Sequence, residues 1–130
     1  MKKLIFILFL ICSTYSYAAN LQPSDTQLIK AAGVPLFSTA MFVFGSKDLG
    51  FRFVTSTPPD DVRRWYRRQL PKWSLLDNFG SWILYNGNPG LGMGAVMSKN
   101  QINVQNNNKL PGWYALDKNM TTEIVIMIVK

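Results

Sequence analysis

The stretch from Thr57 to Trp73, TPPDDVRRWYRRQLPKW, constrains this chain more than any other, because prolines bracket it and leave room for one short helix between them. Thr57 reads as the N-cap and Pro58 as the first helical residue, where a missing N–H costs nothing. Asp60, three residues after Thr57, completes an arrangement like a capping box. Asp60 and Asp61 lie against the positive end of the helix dipole and the arginines lie toward the negative end, while Pro71 stops the helix at about Leu70. At about 100° per residue, Val62, Trp65, Tyr66, Gln69 and Leu70 fall on one side, and Arg63, Arg64, Arg67 and Arg68 on the other. The pattern predicts one face for packing and one for solvent or a ligand.

Around this helix the chain alternates apolar runs with turn chemistry. Ser24 reads as the cap of a short helix through Ala32, ended by Gly33 and Pro35. Ala40 to Phe44 and Phe51 to Thr55 flank Gly45-Ser46-Lys47-Asp48-Leu49-Gly50, a hairpin pattern that feeds the basic helix. Lys72 to Leu76 and Ser81 to Tyr85 flank Asp77-Asn78-Phe79-Gly80, a second hairpin pattern. Asn86 to Gly94 reads as loop, and Ala95 to Val104 as one weaker strand or two short ones. The run Ile124 to Val129, within Thr121 to Val129, is apolar at consecutive positions and predicts a central strand covered on both faces. The fold expected is α+β, an antiparallel sheet of five or six strands with the main helix on one face and a short N-terminal helix at an edge. The pattern L-P-x-W-x-x-L-D occurs at Leu70 to Asp77 and again at Leu110 to Asp117, and reads as shared strand-entry chemistry rather than duplication.

Met1 to Ala18 has Lys2 and Lys3 before an apolar run from Leu4 to Ile11 and ends Ser16-Tyr17-Ala18, the form of a secretory signal peptide cleaved after Ala18. A lipoprotein reading through Cys12 is disfavoured by Ile11, which stands where such signals want a small residue. Residues 19–130 then form one small domain, expected in the periplasm or secreted. The chain has no histidine and its single cysteine lies in the leader, so the mature protein is expected to lack disulfides, thiol nucleophiles, histidine acid/base catalysis and the usual soft-metal ligands. No cofactor, no metal and no catalytic residue is expected. Loss of Lys2 and Lys3 takes the net charge from +7 to +5, which favours acidic partners.

The arginine face is the leading candidate for binding. Like charges at helical neighbour spacing cost a few tenths of a kcal/mol each, roughly 1 kcal/mol together, which a Thr57 cap would offset. Asp60 can pair with Arg63 and Arg64, and Asp61 with Arg64, leaving Arg67 and Arg68, with Lys72 beyond, as the sharper candidates. Trp65 borders Arg68 around the helix and reads either as a stacking edge or as a packing residue. The loop Gly90 to Met97 lacks the G-x-G-x-x-G spacing of a phosphate loop; its Leu91, Met93 and Met97 suit contact with a partner. The mature carboxylates, Asp25, Asp48, Asp60, Asp61, Asp77, Asp117 and Glu123, are each explained by a helix end, a turn or the polar side of a strand. A carboxylate hydrolase would need two of them brought together by the fold.

The carriers Thr55, Thr57, Val62, Tyr66, Leu70, Pro71 and Trp73 form a strand ending in a threonine-rich corner, a helix with a central tyrosine and a Leu-Pro-x-Trp exit. In this the segment from Val34 to Trp73 resembles small exported bacterial α+β proteins, a resemblance that implies an exported fold of this kind and carries over no functional residue. The function expected is an exported noncatalytic module that engages an anionic envelope component or an acidic protein through Arg67, Arg68, Lys72, Arg64 and Arg63. Peripheral membrane contact is one form of that role, and nucleic acid is not the partner expected. The alternatives are an interaction or inhibitor domain using Leu91, Met93 and Met97, and a small carboxylate-dependent hydrolase.

Overall fold

The structure, a computed structural model, describes residues 21–78, 80–108 and 119–129. The leader with Cys12, and the second L-P-x-W motif at 110–117, lie outside the described residues. The elements run α1 (Pro23–Ala31), β1 (Met41–Ser46), β2 (Gly50–Thr55), α2 (Pro59–Gln69), β3 (Ser74–Asn78), β4 (Ser81–Tyr85), α3 (Met93–Val96), β5 (Gln101–Asn106) and β6 (Thr122–Met127). The six strands form one open antiparallel sheet in the order β1-β2-β6-β5-β4-β3, which is the expected α+β class.

The central place expected for the apolar run near the C-terminus belongs to β6, which pairs with β2 on one side and β5 on the other. Thr122, Glu123, Ile124, Val125 and Ile126 are all buried, so both faces of the strand are covered as its sequence requires. Helix α2 follows from this order. It must carry the chain from β2 to β3, at the far edge of the sheet, and in doing so it crosses the inner strands. Phe51, Phe53, Trp82, Leu84, Ile102, Val104, Ile124 and Ile126 alternate along four strands and meet Val62 and Tyr66 of α2 and Ile29 of α1 in the main core. On the opposite side Ile83 and Tyr85 pack with Val96, Leu76 and Leu91 in a smaller cluster.

Local chemistry sets the hairpins. Ser46 pairs with Gly50 around the three-residue loop Lys47-Asp48-Leu49, with Gly50 at φ 81° as such loops require. Gly45 admits no side chain, since a Cβ there would lie 2.1 Å from the Gly50 carbonyl oxygen. The β1–β2 register shifts between Phe42 and Phe44. The extra residue, Val43, sends Phe42 to the core, 5.5 Å from the Phe53 ring, and Phe44 to the other face, where the Arg52 guanidinium lies 5.5 Å over its ring.

Two expected caps are corrected. Helix α1 begins at Pro23 after Gln22, not at a Ser24 cap. Helix α2 begins one residue later than expected, with Pro58 as N-cap and Pro59 at N1, and no side chain caps it. Thr57 is otherwise engaged. Its carbonyl accepts a 2.6 Å hydrogen bond from the Thr122 hydroxyl and its N–H donates to Thr55 Oγ1 at 3.2 Å. Thr55 Oγ1 in turn lies 2.8 Å from Thr39 Oγ1, so the threonine corner ties β2, the loop before β1 and β6 together. A third difference is α3: four residues of helix span the end of the expected loop and the start of the expected strand, and they place Val96 over Tyr85 and Ile83.

Tyr66 and Tyr85 are the largest fully buried side chains among the described residues, and Tyr66 lies in the main core. Burial pushes its hydroxyl well above the ordinary tyrosine value, while a hydrogen bond with the Phe37 backbone pulls weakly the other way.

Two measurements check these assignments. Thr55→Ala should cost about 1–2 kcal/mol by urea denaturation, because it strips the corner of a buried hydroxyl, whereas Thr57→Ala should cost about 0.5 kcal/mol or less, the opposite of the order a Thr57 cap would give. Above about pH 10 the unfolded chain releases the Tyr66 proton while the native state keeps it, so stability present below that pH should fall by about 1.4 kcal/mol per pH unit. Tyr66→Phe should flatten that alkaline slope relative to wild type.

Candidate functional site

Helix α2 divides its charges more unevenly than the sequence pattern suggested. Val62 and Tyr66 are buried, and Trp65 is half-buried. The Trp65 ring stands edge-on to Phe37 at 5.2 Å and to Tyr66 at 4.8 Å, which commits it to packing rather than to a stacking platform.

Arg63, expected on the solvent face, is instead a strut between helix and sheet. Its side chain is 26% exposed. Nε and Nη2 both donate to the Val104 carbonyl oxygen, at 3.1 and 2.9 Å, and Nη1 donates to Asp60 at 3.3 Å. The guanidinium also lies 5.9 Å over the Trp82 ring. A planar fork on a long stem can reach sideways off the helix to a carbonyl that a lysine could meet with only a point charge. Arg64 remains on the surface and pairs with Asp61, one turn back. The expected local pairing therefore holds for both arginines, and Arg63 gains a structural duty besides.

Arg67, Arg68 and Lys72 are exposed, and none of them forms an ion pair with any described residue. Arg67 and Arg68 occupy the last turn of α2, where the carbonyl end of the dipole favours cations. The structure thus brings the sharper candidates together at one end of the helix and removes Arg63 from their company.

The glycine-rich loop divides too. Leu91 turns inward against Ile83, Tyr85 and Val96, and its N–H donates to the Tyr85 hydroxyl at 3.3 Å. That hydroxyl donates to the Asn88 carbonyl at 2.7 Å, and Ser74 Oγ donates to the Gly87 carbonyl at 2.7 Å, so the loop is pinned to the sheet. Leu91 is therefore half-buried against the sheet, unlike the other two residues expected at this contact. Met93 and Met97 are exposed, at 44% and 50%, and Met97 borders a groove with Met127, Ile128 and Val129.

Sequence reasoning missed Glu123. It does face the side of β6 away from α2, but it is 1% exposed rather than solvated. Arg52 Nη1 lies 3.1 Å from its Oε1 and Gln105 Nε2 donates to the same oxygen at 2.7 Å, which is the pairing a buried carboxylate requires. Among the described residues no group of three histidine, cysteine or acidic side chains is placed to hold a metal ion. Comparison with protein-family models, curated proteins and solved structures returned no match.

Arg63→Ala should lower stability by about 2 kcal/mol, since it leaves the Val104 carbonyl without its charged donor, and Arg63→Lys should recover less than half of that. Arg67→Ala should stay within about 0.5 kcal/mol of wild type. Chemical denaturation of the three variants reads the difference.

Proposed function

We propose that the protein is an exported, noncatalytic binding module that engages an anionic envelope component or an acidic protein through the C-terminal end of α2. One observation carries the reading: Arg67, Arg68 and Lys72 stand exposed without counter-charges among the described residues, while Arg63 and Arg64 on the same helix are bound to Asp60 and Asp61. The excess of basic over acidic residues, +5 once Lys2 and Lys3 leave with the leader, supports it by attracting anions at long range. Arg64, which is paired with Asp61, borders the site rather than forming it.

A second reading, an interaction domain, is favoured by the exposed Met93 and Met97, the latter beside a groove of Met127, Ile128 and Val129 with Lys47 and Asp48. Contact there would rest on apolar side chains with one charge of each sign and would depend on salt less than contact at the basic edge, which separates it from the first.

Vesicles of phosphatidylcholine with and without phosphatidylglycerol test the principal reading. Binding should appear only with the anionic lipid or with a soluble polyanion, and should weaken steeply as salt is raised. A basic side chain near an anionic surface contributes about 1 kcal/mol, so Arg67→Ala with Arg68→Ala should weaken binding roughly 30-fold. Binding by that variant equal to wild type would remove the basic edge as the site.

A further inference from the structure

Strands β4 and β5 pair through Ile83 with Asn103, Leu84 with Ile102 and Tyr85 with Gln101, and no further. Both strands continue past the last of these pairs, β4 back to Ser81 and β5 on to Asn106, so beyond Ile83 they part. The Val104 carbonyl, which lies past the end of the ladder, is taken by Arg63. The parting opens a cleft of about 350 Å³ lined by Arg63, Gly80, Gln105, Asn106, Asn108 and Glu123. That volume suits one small ligand. Arg63 comes to it from the face that α2 covers, and Glu123 and Gln105 from the other face, so the cleft draws on both sides of the sheet.

The two charges in this wall are already engaged. Arg63 serves Val104 and Asp60, and Glu123 receives Arg52 and Gln105. They are also opposite in sign, so the cleft holds no net charge to select an ion. What it offers a ligand is carboxamides. Asn106 and Asn108 are exposed and their side chains make no hydrogen bond to any described residue, while Gln105 spends its Nε2 on Glu123 and keeps its carbonyl oxygen. Each asparagine carboxamide presents an acceptor and two donors side by side, the set that adjacent hydroxyls on a sugar ring complement. Gly80 leaves its part of the wall without a side chain, and among the described residues a Cβ there would meet nothing within 4 Å, so none of them crowds that side of the mouth.

We propose that the cleft between β4 and β5 binds a neutral sugar unit, held by the carboxamides of Gln105, Asn106 and Asn108. This site is separate from the basic edge of α2, and its ligand differs in kind: binding is carried by hydrogen bonds to hydroxyls and does not respond to salt.

The test is a titration of the isotopically labelled protein with methyl glycosides of glucose, galactose and N-acetylglucosamine, followed by nuclear magnetic resonance. Saturable shifts should appear with at least one glycoside in the side-chain amide signals of Gln105, Asn106 and Asn108, equal at low and high salt. Asn106→Ala with Asn108→Ala should weaken that binding about tenfold or more, through the loss of hydrogen bonds at both positions. Its denaturation midpoint should match wild type, since both side chains are exposed. Arg67→Ala with Arg68→Ala, which weakens the proposed anion binding, should leave the glycoside shifts intact. The proposal is overturned if no glycoside moves these signals at its highest soluble concentration, if the shifts persist in the double asparagine variant, or if acetate or glycine moves them and the glycosides do not.

Discussion

The hold of Arg63 on the Val104 carbonyl sets the roll of α2 about its own axis, and much of the molecule depends on that roll. With position 63 drawn down to β5, Val62 and Tyr66 point into the core and Arg64, Arg67 and Arg68 point away from it. The same bond caps the end of the β4–β5 ladder, where strand pairing gives out and a carbonyl would otherwise lack a partner. Val62 and Tyr66 seat the helix in the core, with Trp65 and Leu70 packed beside them. The guanidinium adds a hold off the apolar stripe, and Asp60 keeps it there.

A comparable economy runs through the threonine corner. The turn from β2 into α2 must satisfy its own backbone while two successive prolines supply no N–H. Thr55 takes the Thr57 N–H, Thr122 gives its hydroxyl to the Thr57 carbonyl, and Thr39 closes the group from the loop before β1. Because α2 starts with Pro58 and Pro59, two of the N-terminal groups that usually need capping are absent, and the helix does without a side-chain cap. The threonines are then available to bind elements far apart in sequence. The central strand β6 is tied at this end to the very corner that launches the helix crossing it.

Where the sequence was informative, the signal was local or strongly periodic. The consecutive apolar residues from Ile124 onward gave the central strand, and the proline-bracketed run with its 3.6-residue stripe gave α2 to within one residue at its start. Thr57 misled because either of two adjacent prolines can open a helix, and the choice is made by Thr122, which is 65 residues away. Arg63 misled because helical periodicity places Cα atoms, not the ends of long side chains, and its acceptor is 41 residues distant. Glu123 looked like the polar side of a strand because its neutralising partner, Arg52, lies 71 residues back. Helix α3 is too short to show any periodicity, and it exists because Val96 has a place to be buried. The carboxamide cleft had no sequence signal beyond a polar stretch after β5, since only the divergence of β4 from β5 makes those residues a wall.

These failures share a cause that bears on function. A charged side chain read from sequence carries its full charge, but in the folded chain that charge is divided among whatever the fold brings to it. Of the four arginines on α2, Arg63 has given its charge to the interior and Arg64 faces an acid of its own, so the charge this helix turns to solvent is carried by Arg67 and Arg68, with Lys72 just beyond. In the cleft the reverse holds, since an arginine and a glutamate are present yet the groups that keep bonding capacity among the described residues are neutral amides. Two surfaces of different chemistry follow on one small domain: an edge whose attraction is Coulombic and long-ranged, and a recess whose attraction is directional and short. Arg63 borders both, holding the helix that presents the first and walling the gap that forms the second.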